Sequence, residues 1–485
     1  MKLNELLKNS NENTFVSDLK SHRFIEQPDV ERAKKALNPE LHDINNHILR
    51  KDKQVRVDSD DEGESAQKVI DTNGESFNTR QEKVARIAVA IQRLIVKRAV
   101  SFCFGRKPEY NSTPENETQE MIHKAVKKVF SGIKEKSFNR KVARSVFGFK
   151  ECAEYWYTVP CENAKYGFNS KYKLRCTIFS PANGDELYPY FDDMGDMVAF
   201  SRAFSRVNAK GESVSYFETF TDEEHWLWKN GANGYEVLEG FPKNVAIGKI
   251  PVVFGHQDYY ETEDIDKLVD RLETLLSNFA DTNDYHASPK IFTTGQINGW
   301  SKKGESGAVI EGEEGATMNY VSWQNAPESV KLEIETLLKF IYTITQTPDI
   351  SFDAVKGLGA ISGIALKLLF MDAHLKVQDK CEVFDEYLQR RVNVVLAYLA
   401  QMKTDWGREC ESMDIEPEII PYMLIDEKAD LEYWLTANGN KPVVSQEESI
   451  EKAGISKNVE YTMNKIKEQS TFENSFSIGE PIIEE

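Results

Sequence analysis

The sequence predicts an α+β chain, and three observations predict it. Apolar residues recur at helical spacing in two runs, Ile265 to Phe279 and Val330 to Ile344, on either side of a glycine-rich stretch with short β-like pieces. Between Tyr155 and Leu238 the texture is aromatic, alternating and turn-rich, the pattern of strands and hairpins. From about Ile361 to Gln401 a helical pattern runs on without interruption, which at about 1.5 Å per residue predicts a spine roughly 60 Å long.

The first fifty residues are polar, with a short helix expected near Val30 to Leu37. They lead into the acidic run Val57 to Ser65. Asp58, Asp60 and Gly63 stand where a calcium loop has them, yet Glu62 holds the fifth position and Val69 the twelfth, where a bidentate Glu is required. The stretch from Asp58 to Thr79 therefore reads as a solvated linker. Between Arg80 and Val100, Val84, Ile87, Ala88, Ile91, Leu94 and Ile95 fall at helical spacing, which predicts an amphipathic helix with Arg86, Arg93, Lys97 and Arg98 elsewhere on the cylinder. Those cations, with Lys124, Lys127, Lys128 and Lys141, form either a DNA stripe or solvated faces of packed helices, and the second reading is the expectation.

The strand candidates are Lys173 to Ile178, Met197 to Phe204, Ser213 to Phe220 and His225 to Trp228, with turn signals at Asn183-Gly184 and Asn233-Gly234. Phe241 to Phe254 then runs extended into the first long helix, whose Ile265, Leu268, Val269, Leu272, Leu275, Leu276 and Phe279 form one dry face. Ser288 to Gln324 carries six glycines among β-like pieces and reads as a small β module. The second helix begins at Pro327, a favoured first helical residue, and ends before Pro348. Two helices joined through a β tip make a stalk with a head. The loop Asp349 to Gly359 precedes the spine. This layout suits a wall around a passage better than a catalytic pocket. Beyond Cys410 the chain has helix-like pieces around Asp426 to Leu435 and Gln446 to Glu468, and Asn474 to Glu485 is expected to be disordered.

At 485 residues the chain is long enough for two to four regions sharing a sizeable core. A formal net charge of −19 argues against a protein that binds nucleic acid by neutralising phosphates. The six cysteines contain no C-x-x-C pair and no histidine at zinc spacing, so they are expected to be reduced thiols, with no metal site. The N-terminus lacks the apolar core of a signal peptide, and the best apolar run, Val394 to Ala400, is far too short to span a bilayer. The expectation is a soluble product of the cytosol with no membrane partner.

Catalytic motifs are missing. Gly357-Leu-Gly359-Ala-Ile-Ser-Gly363 opens a helix, but its spacing is one residue too long for a dinucleotide fingerprint and no parallel strand precedes it. There is no P-loop, no H-E-x-x-H and no nucleophile elbow. Neither an enzyme activity nor a cofactor is expected.

The succession Ala99 to Tyr110, Phe147-Gly-Phe149, Phe179 to Tyr188, Ile247 to Val252 running into Asp264 to Asp270, and Gly359 to Lys367 opening the spine resembles the portal proteins of tailed bacteriophages. It is the order of these segments across roughly Arg80 to Ala400 that carries the resemblance. The resemblance implies a portal fold divided into a polar N-terminal region (1–79), a wing (80–260), a first stem helix (261–287), a clip (288–325), a second stem helix (326–347), a tunnel loop (348–360), a spine helix (361–410) and an acidic crown or tail (411–485). It further implies a ring of about twelve subunits at one capsid vertex. Double-stranded DNA would pass through it non-specifically. Terminase, the head–tail adaptor, the major capsid protein and scaffolding protein would be its partners, in a virion assembled in the host cytoplasm.

An acidic wall with sparse cations lets a duplex slide, because each Lys–phosphate contact adds affinity. Ser351, Phe352, Asp353, Val355, Lys356, Gly357, Leu358 and Gly359 are then the candidate tunnel-loop residues. Lys356 would touch phosphates transiently, while Phe352, Val355 and Leu358 would pack between neighbouring loops. Trp300, Lys302 and Lys303 are candidates for terminase or adaptor contact. The rival readings are another capsid-associated adaptor ring and a nucleotide-dependent enzyme using the Gly357 loop.

Overall fold

The computed structural model describes residues 1–7, 14–57, 67–70, 76–231, 234–287, 290–294, 315, 317–321, 327–349, 368, 370–422, 427–439, 442–454, 456 and 458–476. They fall into two units, Met1–Asp349 with Asp372–Tyr422, and Ile350–Met371 with Met423–Glu485.

The polar N-terminal stretch is tied down. Helices α1 (Leu3–Leu6) and α2 (Phe15–Ser21) bury Leu3, Leu7, Phe15, Val16 and Leu19 against Tyr188, Phe217, Trp226 and Trp228. Helix α3 (Val30–Leu37) occupies the expected residues, and its first turn is capped by the Asp29 carboxylate accepting the Arg32 N–H at 2.9 Å. The linker expected over Asp58–Thr79 needs correction at residues 67–70 and 76–79, while 58–66 and 71–75 lie outside the described residues. Strands β1 (Lys53–Val57), β2 (Gln67–Ile70) and β3 (Ser76–Glu82) form an antiparallel sheet in the order β1-β3-β2. Val55, Val57, Val69, Ile70 and Phe77 supply the β-branched and aromatic residues that favour this.

Helix α4 (Ile91–Phe104) starts eleven residues later than its periodicity predicts and is followed by β4 (Glu109–Asn111), α5 (Glu117–Gly132) and α6 (Glu135–Phe149). The β region comes next: β5 (Glu151–Asn163), β6 (Ser170–Phe179), β7 (Glu186–Phe191), β8 (Met197–Val207), β9 (Ser213–Phe220), β10 (Glu224–Gly231), β11 (Gly234–Val237), β12 (Lys243–Asn244) and β13 (Val252–His256). One sheet runs β11-β10-β9-β8-β7 with β12 on β10, and a second runs β13-β5-β6. Ala153, Phe179, Leu187, Phe200, Phe220 and Val252 form a buried core drawing on both sheets. Gly184, a turn glycine in the sequence, has φ of 85°, which only glycine adopts without strain.

Helix α7 (Asp266–Ala287) and helix α8 (Pro327–Ile344) flank strands β14 (Lys290–Thr294) and β15 (Thr317–Val321), which pair antiparallel from Lys290↔Val321 to Thr294↔Thr317. Ile265, Val269, Leu272 and Ile341 close on Ile91 and Ile95 of α4, so the dry faces read from periodicity meet each other. The spine helix α9 (Met371–Met402) is shorter than the expected Ile361–Gln401. Its 32 residues span about 48 Å, and Phe370 forms a turn. Asp372 sits in its first turn, where a carboxylate complements the helix dipole. Helix α10 (Gly407–Ser412) and β16 (Glu416–Glu418), which pairs with β4, complete this unit.

In the second unit, helices α11 (Glu427–Ala437), α12 (Gln446–Ala453) and α13 (Val459–Phe476) pack in sequence, α12 touching both neighbours. Helix α13 extends into the tail expected to be disordered from Asn474, whose remainder lies outside the described residues.

Candidate functional site

The predicted site residues, Ser351 to Gly359 in the loop and Trp300, Lys302 and Lys303 in the head of the stalk, all lie outside the described residues. The structure gives the two frames from which those segments depart. The head segment leaves from β14 and returns through β15, so a two-stranded ladder closes its base.

The loop segment has a more elaborate base. Helix α8 ends at a left-handed Gln346, φ 47°, after which the Thr347 N–H reaches back to the Tyr342 carbonyl at 2.9 Å. The next carbonyl, of Pro348, accepts from Arg98 Nη1 of α4 at 2.9 Å, with the guanidinium also over the Tyr342 ring. On the returning side Lys376 of α9, 4% exposed, donates to the Thr345 carbonyl at 2.8 Å and pairs with Glu261. Lys380, one turn on, lies 3.3 Å from the same carboxylate. Burial opposes its charge, but Glu261, Tyr259 and Asp379 outweigh burial and hold its pKa above the usual lysine value. Arg98 and Lys376 therefore tie the end of α8 to α4 and to α9.

Behind this base the spine is fixed to sheet β13-β5-β6. Arg391 and Glu154, both fully buried, form a forked pair with Nε and Nη2 each 2.8 Å from the carboxylate. Tyr387 Oη and Trp156 Nε1 also donate to Glu154, and Arg391 Nη1 donates to Asn139 Oδ1 at 2.6 Å. Gly255 of β13 makes the approach possible, because a Cβ there would lie 2.7 Å from Tyr387 Cδ2.

Sequence reasoning missed these anchors, although a signal was present. Lys376, Lys380, Tyr387 and Arg391 fall at helical spacing on the apolar face that carries Val377, Phe384, Leu388 and Val395. A charge inside an apolar stripe marks a buried partner, since Lys and Arg are almost never buried unpaired.

Among the described residues no group of three or more His, Cys, Asp or Glu is placed to hold a metal, and no helix is long and apolar enough to cross a membrane. All six cysteines are free, and burial pushes the Cys103 and Cys152 thiols far up.

An α+β chain with two long helices flanking a two-stranded ladder and a spine helix anchored on a sheet is the class these features define. The family model described as phage portal protein, SPP1 Gp6-like, matches residues 26–475. The chain belongs to that family, whose members are structural components of the phage head–tail connector. A chain of the neck of an empty GTA particle, computed with C6 symmetry, aligns with TM-score 0.40 and 9% identity over 76% of this chain and 89% of its own. A chain of the neck of a native GTA particle, computed with C12 symmetry, aligns with TM-score 0.39 and 8% identity over 76% and 90%. No curated protein matches the sequence.

Proposed function

We propose that copies of this chain form the ring-shaped channel at one capsid vertex through which DNA is packaged and ejected. The observation that carries the ring is the outer face of α8. Its inner residues Ile334, Leu337, Leu338 and Ile341 pack on α7 and α4, yet Leu332, Phe340 and Ile344 are 65%, 52% and 47% exposed. Their spacing of four, completed by Thr336, places them on one stripe of the helix, beside Lys331, Glu335 and Lys339. A stripe of large apolar side chains on an otherwise satisfied helix fits the flank of a neighbouring subunit.

In this reading α7 and α8 are the stem, residues 80–260 most of the wing, residues 288–325 the clip and residues 348–360 the tunnel loop. Trp300, Lys302 and Lys303 then face terminase or the adaptor, and Lys356 is repeated around the bore, where it touches passing phosphates. Native mass measurement tests the ring. The wild-type chain is expected as a closed oligomer of about twelve copies. Leu332→Ser with Phe340→Ser should shift it to smaller species with unchanged helix content. A wild-type chain that stays monomeric at every concentration refutes the reading.

A further inference from the structure

Identical subunits that each carry −19 repel one another, so any ring they build needs contacts that offset that charge. The chain separates its charge to a degree that meets this need. From Met121 to Lys150 it has nine Lys and Arg and a single acid, Glu135, which is buried and accepts a hydrogen bond from Tyr110. Lys124, Lys127 and Lys128 project from the exposed side of α5, and among the described residues none of them has a salt bridge.

The opposite charge collects in a groove of about 720 Å³ between α9, the β7–β8 turn and the segment after β13. Asp196, Asp258, Asp379, Glu382 and Glu386 line it, against Lys380, already bound to Glu261, and Arg390. Glu382 and Glu386 are exposed on α9 and make no salt bridge among the described residues.

A second feature points to a ligand. Gln257 lines the same groove and is only 5% exposed, yet neither its Oε1 nor its Nε2 has a hydrogen-bond partner. Its backbone is not loose, since its N–H donates to the Lys150 carbonyl at 2.8 Å. A buried amide with both ends open is destabilising, because each unmet group has lost its water without gaining a partner. A group that offers both a donor and an acceptor, such as a peptide or another side-chain amide, satisfies it.

We propose that this groove receives the basic α5 face of a second copy, with Glu382 and Glu386 meeting Lys127 and Lys128 and Gln257 meeting a polar group of the same entering segment. The contact joins two different patches, the heterologous kind that closes rings when repeated. It deepens the ring reading and rests on it, adding an electrostatic contact to the apolar one along α8. Complementary charge also fixes which faces meet and in what register.

A charge-exchange experiment on the full chain tests it, with native mass and sedimentation as readouts. Glu382→Lys with Glu386→Lys should raise the concentration for half-assembly about tenfold or more, as should Lys127→Glu with Lys128→Glu. All four positions are exposed on helices, so circular dichroism should show unchanged monomers. The variant carrying all four changes should assemble nearly as well as wild type, which no misfolding explanation produces. Reversals that leave assembly untouched overturn the proposal while the ring stands. So does a four-fold variant no better than its parents, as expected if the groove serves some other basic protein or a free cation. A wild-type chain that never assembles removes the ring reading, and this contact with it.

Discussion

Arg391 and Glu154 decide how the spine sits on the sheet, because burying two charges is tolerable only when each satisfies the other. Glu154 takes four donated hydrogen bonds, from Arg391 Nε and Nη2, Tyr387 and Trp156, so its removal strands neighbours as well. Arg391→Leu should destabilise the first unit by about 3–5 kcal/mol, since it leaves Glu154 buried without a countercharge. Adding Glu154→Leu should recover part of that loss. The recovery stays incomplete because Tyr387 and Trp156 then lack an acceptor, at about 1 kcal/mol or more each. Chemical denaturation of the two variants checks the order; a double variant weaker than the single one contradicts it.

Between elements, the most instructive contact is the ladder along α7. The N–H groups of Ala85, Ile87 and Val89 donate to Asp281, Ser277 and Glu273 at 2.7, 2.9 and 2.8 Å. Alternate residues of an extended chain advance about 6.6 Å, and every fourth residue of a helix about 6 Å, so the two repeats stay nearly in step for three rungs. This is why residues 83–90 are not helical although Val84, Ile87 and Ala88 continue the helical spacing of α4. The acceptors that win lie some 190 residues away, and no local pattern announces them. The same limit hid β2 and β3 behind an acidic composition. By contrast α3, the strands β6, β8, β9 and β10 and both stalk helices were legible, since their burial follows their own periodicity. Glu273 also accepts from His42 Nδ1 at 2.6 Å, which ties the N-terminal region to α7. Burial works against the His42 charge, but Glu273 outweighs it and the pKa rises above 6.5. A raised histidine contributes stability that is complete below pH 6.5 and lost as pH climbs through the raised value. Amide exchange in residues 39–45 should therefore quicken beyond its intrinsic rise as pH increases past neutrality, and His42→Gln should remove that dependence. A pH dependence that survives His42→Gln assigns it to another group.

Across the whole molecule, the proposed conduit combines an acidic subunit with a tie between the end of α8 and the helices α4 and α9. In the proposed ring, a subunit of net charge −19 would keep a duplex from binding along the wall, and the sparse cations Lys356, Lys302 and Lys303 would touch their partners without holding them. Order of segments alone carried that reading from the sequence; the ties were invisible there, because Arg98 meets Pro348 and Lys376 meets Thr345 only in the fold. In the proposed ring these contacts do not involve residues 351–359, so the loop is expected to be separable from assembly. Deleting Ser351 to Gly359 leaves Arg98, Thr345, Pro348, Glu261 and Lys376 in place, as well as the α8 stripe and the acidic groove. The expected outcome is a particle of the same subunit number that packages or retains less DNA, read as DNA length per capsid. Lys356→Ala alone should give a smaller loss of the same kind, because one phosphate contact per subunit disappears while the apolar loop residues stay. If the deletion packages and retains DNA as well as wild type, the loop is not what the duplex meets in the bore; if it abolishes the ring, the segment belongs to assembly instead.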